Sequence, residues 1–247
     1  MADSSSHEKS QQQIFDQAKA FLHDAIAFSA DKGVSVTVTY AQSQDCMIAK
    51  HNEQLILSGA ESMMMTHRLR AMHDAILVGI NTVLCDDPRL NVRLLPASEI
   101  HKSHPQPIVL DSHLQMPTTA RLIASGNLPW VFTGDQHPAD KRKELEDLGV
   151  LVIVVPTGND GGLCLDAVVD VLYTRGIRRL MVEGGASVIR AFLRSRIPEH
   201  LIVTTAPVTV GEGGVSVDDA PSGFSVVSTK RQTFGNDVVV ASKLKYD

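Results

Sequence analysis

The sequence predicts an α/β fold: a mostly parallel central sheet with helices on both faces and a C-terminal antiparallel hairpin. Three observations carry this. Short, wholly apolar runs recur along the chain, such as "AILVGI" (75–80), "PIVLD" (107–111) and "GVLVIVV" (149–155), the mark of strands buried on both faces. Helix-like stretches at about 138–148, 164–175 and 185–195 separate several of the later runs, an alternation that parallel sheets require. Near the C-terminus two alternating segments flank Gly235 and Asn236, as a closing hairpin would.

Taken in order, the first dozen residues are polar and are expected to fray. Apolar residues at Ile14, Phe15, Ala18, Phe21, Leu22, Ala25 and Ile26 then form a 3.6-residue stripe, and Gly33 supplies a stop. Residues 1–33 therefore read as an N-terminal helical extension, and 34–247 as one domain. "VSVTVTY" (34–40) is β-branched and alternating, hence a strand, and 60–74 is helical. After the buried run at 75–80, Pro96, Pro105 and Pro107 with the polar residues 97–104 mark an exposed loop, not a domain boundary. "PWVFTG" (129–134), "RRLMVE" (178–183) and "HLIVTTAP" (200–207) complete the set of strands.

Composition narrows the function classes. Of 247 residues, 43% are hydrophobic, enough for a substantial core, and the net charge of −5 lacks the basic footprint of a nucleic-acid binder. No apolar run approaches the roughly 18 residues that span a bilayer, and "MADSSSHEKSQQQ" lacks the apolar centre of a secretory signal. Cys46, Cys85 and Cys164 are scattered and form no CxxC pair. The chain reads as a cytoplasmic protein, without nucleic-acid or membrane partners and without a metal.

Ligands of open parallel sheets sit beyond the carboxyl ends of the strands, and four such places hold polar or glycine-rich sequence. "EGGAS" (183–187) joins a strand to a helix; its glycines permit close backbone approach, and free amides at a helix start favour phosphate. Read alone, such a turn is more often only a turn. "VGINTVLCDDPRLNVRLL" (78–95) places Asp86 and Asp87 before Pro88, with Arg89 and Arg93 following. Two carboxylates can hold Mg²⁺, but no third acidic partner is near, and a capped loop with surface ion pairs is the stronger reading. In "TYAQSQDCMIAK" (39–50), Asp45 reads as a turn former. "TVGEGGVSV" (209–217) reads as a flexible loop with a minor binding role.

Other chemistries lack their residues. There is no GxSxG nucleophile elbow, GxxxxGK[ST] loop or GxGxxG fingerprint after the early strands, and no HxE with PCxxC zinc set. His67 and His73 are expected at solvent or an interface, and "MMM" (63–65) against the core or a cleft.

Three segments in order, "THRLRAMHDAILVGINTVLCDDPRLNVR" (66–93), "PIVLDSHLQMP" (107–117) and "MVEGGASVIRAFL" (181–193), resemble the reductase family of riboflavin biosynthesis, in its stand-alone fungal and archaeal type. The "VGxxTVLxDDPxLxxR" pattern is long and specific; the "EGG" turn only supports it. The resemblance spans roughly 34–245 and implies a dihydrofolate-reductase-like fold, NADPH as hydride donor with NADH left open, a phosphorylated pyrimidine substrate carrying a ribosylamino group, and a homodimer. Position by position it implies that Thr82, Asp86, Ser112, Val155 and the turn Gly184, Gly185, Ala186, Ser187 and Val188 contact the cofactor. It likewise implies that Ser62, Arg70, Leu90, Arg93 and Glu183 contact substrate, with the two arginines gripping a ribose phosphate. Glu183 and Asp45 are the carboxylates considered for proton handling, with water as the alternative. The family's "SxDGxIA" appears as "SQDCMIA", so Cys46 stands where a glycine is usual. Two other readings stay open: a sibling reductase of another phosphorylated heterocycle, and a non-catalytic nucleotide-binding protein.

Overall fold

In a computed structural model, residues 2–28, 33–50, 55–100, 104–158, 161–217 and 223–246 are described. The chain runs α1 (Ala2–Ala25), β1 (Ser35–Gln42), β2 (Met47–Lys50), α2 (Ala60–Ala71), β3 (Ala75–Gly79), α3 (Ile80–Asp86), α4 (Ala97–Ile100), β4 (Gln106–Leu110) and α5 (Arg121–Ala124). It continues β5 (Trp130–Thr133), α6 (Ala139–Asp147), β6 (Leu151–Val154), α7 (Leu165–Thr174), β7 (Arg179–Val182), α8 (Ala186–Ser195), β8 (His200–Thr205), β9 (Gly214–Ser216), β10 (Phe224–Phe234) and β11 (Asp237–Tyr246).

Nine strands form one sheet in the order β10-β11-β8-β1-β7-β3-β4-β5-β6. From β8 to β6 all neighbours are parallel, and β11 joins β8 antiparallel, with β10 paired to β11 at the edge. Because side chains alternate across a strand, each central strand feeds two cores. Ile76, Val78 and Met181 point to one face with α1, α2 and Leu145 of α6, whereas Ala75, Leu77, Leu180 and Val182 point to the other with α7 and α8. The sequence expectation of a parallel sheet covered on both faces is thus met.

Helix α1 begins at Ala2, earlier than its apolar stripe suggests, and buries Phe15, Ala18, Phe21 and Leu22. Phe21 meets Phe234 of β10 edge to face, with ring centroids 5.7 Å apart. Within the stretch read as an exposed loop, 97–100 form the short helix α4, and 101–103 lie outside the described residues. The glycine-rich stretch after β8 is not merely a flexible loop: β9 pairs antiparallel with β2 in a separate two-stranded ribbon.

The chain order leaves β7 inserted between β1 and β3. The helices that follow β3 and β7 therefore start side by side at the carboxyl edge of the sheet. A Cβ at Gly79 would stand 2.6 Å from Val188 Cγ2, so a glycine there lets α8 settle onto the end of β3.

Candidate active site

The parallel pairing of β3 with β7 is prolonged by Glu183 N–H, which donates to Leu77 O at 2.8 Å. Beyond it the chain turns through Gly184 at φ +114°, a backbone shape closed to residues with a Cβ. A Cβ at Gly184 would also sit 2.8 Å from Thr82 Oγ1. Gly185 is the N-cap of α8 in extended conformation, and its N–H donates to Thr82 Oγ1 at 3.2 Å. A Cβ at Gly185 would meet only Thr82 Oγ1, at an ordinary 3.9 Å, so its outer side is open. The first-turn amides of α8, from Ala186 and Ser187, have no intrahelical acceptor. Val188 N–H instead bonds to Gly185 O at 3.1 Å. Thr82 and the 184–188 turn, named separately from the sequence, form one rim.

Beside this rim lies an ion pair. Arg70 of α2 donates from Nε to Glu183 Oε1 at 2.8 Å and from Nη2 to Oε2 at 2.7 Å, and its Nη1 reaches Asn91 O at 3.2 Å. The two side chains are 11% and 15% exposed, so solvent screens them little. Burial alone would lower the Arg70 pKa, but the charge and hydrogen bonds of Glu183 outweigh it and the net shift is upward. Every guanidinium nitrogen of Arg70 is thus engaged within the protein, and both Glu183 oxygens accept from it.

A cleft of about 410 Å³ opens next to this pair, lined by Leu55, Arg70, Asp86, Asp87, Pro88, Arg89, Leu90, Arg93 and Arg121. Arg93 is exposed, and its guanidinium bonds to Asn91 Oδ1 at 3.0 Å. Burial and the neighbouring charges of Arg70 and Arg89 press its pKa downward, against the pull of Glu183. Leu90 is buried and takes a left-handed backbone at φ +45°, as Asp87 does at +40°. The Asp87 carboxylate bonds to Arg121 N at 2.8 Å and pairs with Arg121 Nε at 3.3 Å, which favours the capped-loop reading over a metal one.

His67 was missed. It is fully buried rather than at solvent, and its Nδ1 accepts the Arg93 backbone N–H at 3.1 Å. Burial, then the charges of Arg70 and Arg93, depress its pKa to about 3, so the ring is neutral and can accept at Nδ1. His73 is buried too, bridging Leu69 O at 2.8 Å and Thr37 Oγ1 at 3.0 Å. A buried polar residue on a helix has no mark in a single sequence.

Ser62 is also displaced from its expected role. It is fully buried, its hydroxyl donates to Asp237 Oδ2 of β11, and the same carboxylate oxygen accepts Gly59 N–H at 2.7 Å. That knot fastens the start of α2 to the C-terminal hairpin, which leaves the hydroxyl no proton for a substrate. Ser112 and Val155 lie past β4 and β6 on the same carboxyl edge. The Ser112 carbonyl accepts Gly134 N–H at 3.2 Å, whereas the Val155 side chain is packed in the core instead of lining an open cleft.

Asp45 holds the β2–β9 ribbon. Its carboxylate accepts Ser43 Oγ–H at 2.5 Å, Val210 N–H at 3.1 Å and Gly211 N–H at 2.8 Å. These bonds, Ser43's foremost, hold its pKa near 2, so at neutral pH it has no proton to donate. An acid role for Asp45 is therefore set aside. Cys46 follows at φ +62°, the shape expected of the glycine it replaces.

The chain resembles known proteins over nearly its full length. A reductase of Debaryomyces hansenii, 2,5-diamino-6-ribosylamino-4(3H)-pyrimidinone 5′-phosphate reductase, is 36% identical over 220 residues, covering 84% of this chain and 87% of the relative. The solved structure of the Saccharomyces cerevisiae riboflavin biosynthesis reductase Rib7 superposes with a TM-score of 0.72 at 28% identity, over 92% of this chain and 98% of the other. A dihydrofolate reductase of Enterococcus faecalis, at 13% identity and a TM-score of 0.51 over 85% and 96% of the two chains, shares the fold alone. Residues 34–240 match the RibD C-terminal domain, and the chain belongs to that family.

Proposed function

We propose that the protein is an NADPH-dependent reductase of riboflavin biosynthesis. It converts the ribosylamino group of 2,5-diamino-6-ribosylamino-4(3H)-pyrimidinone 5′-phosphate to ribitylamino. The observation that carries this reading is the adjacency of two surfaces. The Gly184–Val188 turn, backed by Thr82, offers open amides to a dinucleotide phosphate, and the arginine-lined cleft beside Glu183 suits a sugar phosphate.

The rim fits a dinucleotide because Gly184 folds tightly against Thr82 and leaves Gly185 unobstructed on its outer side. Thr82 and the 184–188 turn would hold NADPH, which would supply the hydride for reduction at sugar C1′ of the ring-opened imine. The chain's own residues orient and hold. Glu183 fixes Arg70 as one wall of the cleft, Leu90 lines it, and Arg93, seated by His67, anchors the remote phosphate. Anchoring far from C1′ lets binding energy enforce alignment at the reacting carbon. The imine nitrogen also takes a proton. Asp45 is ionised and both Glu183 oxygens accept from Arg70, which favours water over either carboxylate as the donor.

The protein acts as a homodimer in the cytoplasm. The unpaired outer edge of β10, where Val226 and Val227 are half open to solvent among mainly polar residues, is a strand edge a second copy would cover. Helix α1 precedes the family match, which begins at residue 34, but packs Ala18, Phe21 and Leu22 into the same core as β3 and β7.

The test is direct. Purified protein mixed with NADPH and the ribosylaminopyrimidine phosphate should consume reduced nicotinamide in step with a product two hydrogens heavier. Consumption that yields no ribityl product, or none at all, would overturn the proposal.

A further inference from the structure

We infer that Arg89 is a phosphate-binding residue of this cleft and takes the part that Arg70 is too committed to play. The inference rests on the proposed reductase reading for its ligand, but not for its geometry. Four guanidinium groups, of Arg70, Arg89, Arg93 and Arg121, line the cleft. Arg70 spends Nε and Nη2 on Glu183 and Nη1 on Asn91 O. Arg121 is paired with Asp87 at 3.3 Å, and Arg93 holds Asn91 Oδ1 with one nitrogen. Arg89 is exposed and, among the described residues, has neither a hydrogen bond nor an ion pair.

Its backbone is built to present it. Asp87 and Leu90, on either side of Pro88–Arg89, both adopt left-handed conformations, at φ +40° and +45°. Neither is a glycine, and strain of this kind persists only where the surroundings enforce it. Those surroundings are present: Asp87 is tied to Arg121, and Leu90 is buried at 2% exposure. The tight turn projects Arg89 between the 410 Å³ cleft and an adjoining hollow of about 370 Å³; among the described residues, Arg89 and Arg121 are the two common to both linings. Gathering unpaired like charges at a cavity mouth is unfavourable unless an anion bridges them. A phosphomonoester dianion, accepting paired N–H bonds from Arg89 and Arg93, is the group that fits. The substrate's sugar 5′-phosphate and the 2′-phosphate of NADP are both of that class.

The experiment compares the intact protein with Arg89→Ala and Arg89→Lys. Ribose 5-phosphate binding is measured by calorimetry, and KM for NADPH, NADH and the phosphorylated pyrimidine by turnover. Calorimetry reads the site even if the reductase reading fails. Loss of ribose 5-phosphate affinity by about tenfold or more in Arg89→Ala, with a smaller loss in Arg89→Lys, supports the inference and assigns the sugar phosphate. An increase confined to KM for NADPH, with NADH unmoved, supports it and assigns the 2′-phosphate. If Arg89→Ala changes neither, or if the intact protein binds no ribose 5-phosphate and shows no preference for NADPH over NADH, the inference is overturned.

Discussion

Arg70 and Glu183 are 113 positions apart in sequence, yet they meet through two parallel hydrogen bonds of 2.7 and 2.8 Å at the carboxyl edge of the sheet. The pair joins α2 to the exit of β7 and forms the wall between the glycine turn and the arginine-lined cleft. Both partners are largely withdrawn from water, so removing one strands the other. Glu183→Ala should cost about 3 kcal/mol of stability, and Arg70→Ala a similar amount. The double variant should fall well short of the sum, with a coupling of about 1.5–3 kcal/mol in urea denaturation. Additive losses would mean that the pair is only a surface contact.

The two adjacent glycines should separate by function. Gly184→Ala imposes a Cβ at φ +114° and 2.8 Å from Thr82 Oγ1, so it should destabilise by roughly 2–3 kcal/mol. Thr82→Ala added to it should restore part of that loss by removing the clash. Gly185→Val meets no such obstacle in the fold, since its Cβ position contacts only Thr82 Oγ1 at 3.9 Å. It should cost only the poorer N-cap, about 1 kcal/mol, while raising KM for NADPH at least about tenfold, because the side chain covers the amides that face the phosphate. Thermal melts beside cofactor titrations check both halves.

This contrast shows what a single sequence could and could not reveal. The strands were legible because β3, β4 and β7 are buried on both faces, which forces unbroken apolar runs such as "AILVG". The glycine turn was legible as a place, since the backbone shape at Gly184 excludes side chains. Which strands become neighbours was not legible: periodicity reports burial, and nothing in it says that β7 slips between β1 and β3. For the same reason the site's arginines were named but their division of labour was not. Only the tertiary fold brings Glu183 to Arg70 or ties Ser62 to Asp237. His67 and His73 are buried, which nothing in their local sequence marks. The β2–β9 ribbon escaped notice because strands as short as Met47–Lys50 carry too few residues for a period.

Acid should destabilise the fold earlier than carboxylate titration alone would. Burial depresses His67 to about 3 and His73 to about 4, and lowers His200 as well, all from 6.5 in the unfolded chain. A histidine kept neutral when folded binds its proton more readily when unfolded. Its contribution is therefore complete above 6.5 and is lost as pH falls from there toward the folded value. Each such ring adds a slope of up to about 1.4 kcal/mol per pH unit inside that window. Asp111, whose carboxyl burial pushes upward, acts in the opposite sense just above 3.8 and flattens the lower part of the curve. Urea midpoints should fall steadily between neutral pH and about pH 4, and His67→Gln should reduce the slope. A flat profile over that range would show that these rings are not neutral and buried.

Cys46 supplies the last prediction. It occupies φ +62° where the related motif has glycine, in the turn closed by its own N–H to Ser43 O at 3.0 Å and beside the Asp45 anchor of the ribbon. A residue with a Cβ pays about 1–2 kcal/mol for that conformation, and a glycine returns about 0.5–1 kcal/mol of this gain through its freer unfolded chain. Cys46→Gly should therefore stabilise the protein by about 0.5–1 kcal/mol, a rise readable in the urea midpoint. Cys46→Ala keeps the Cβ and removes only the thiol, so it should give no such gain. If alanine stabilised as much as glycine, the thiol rather than the backbone would be the source, and the turn would be unstrained.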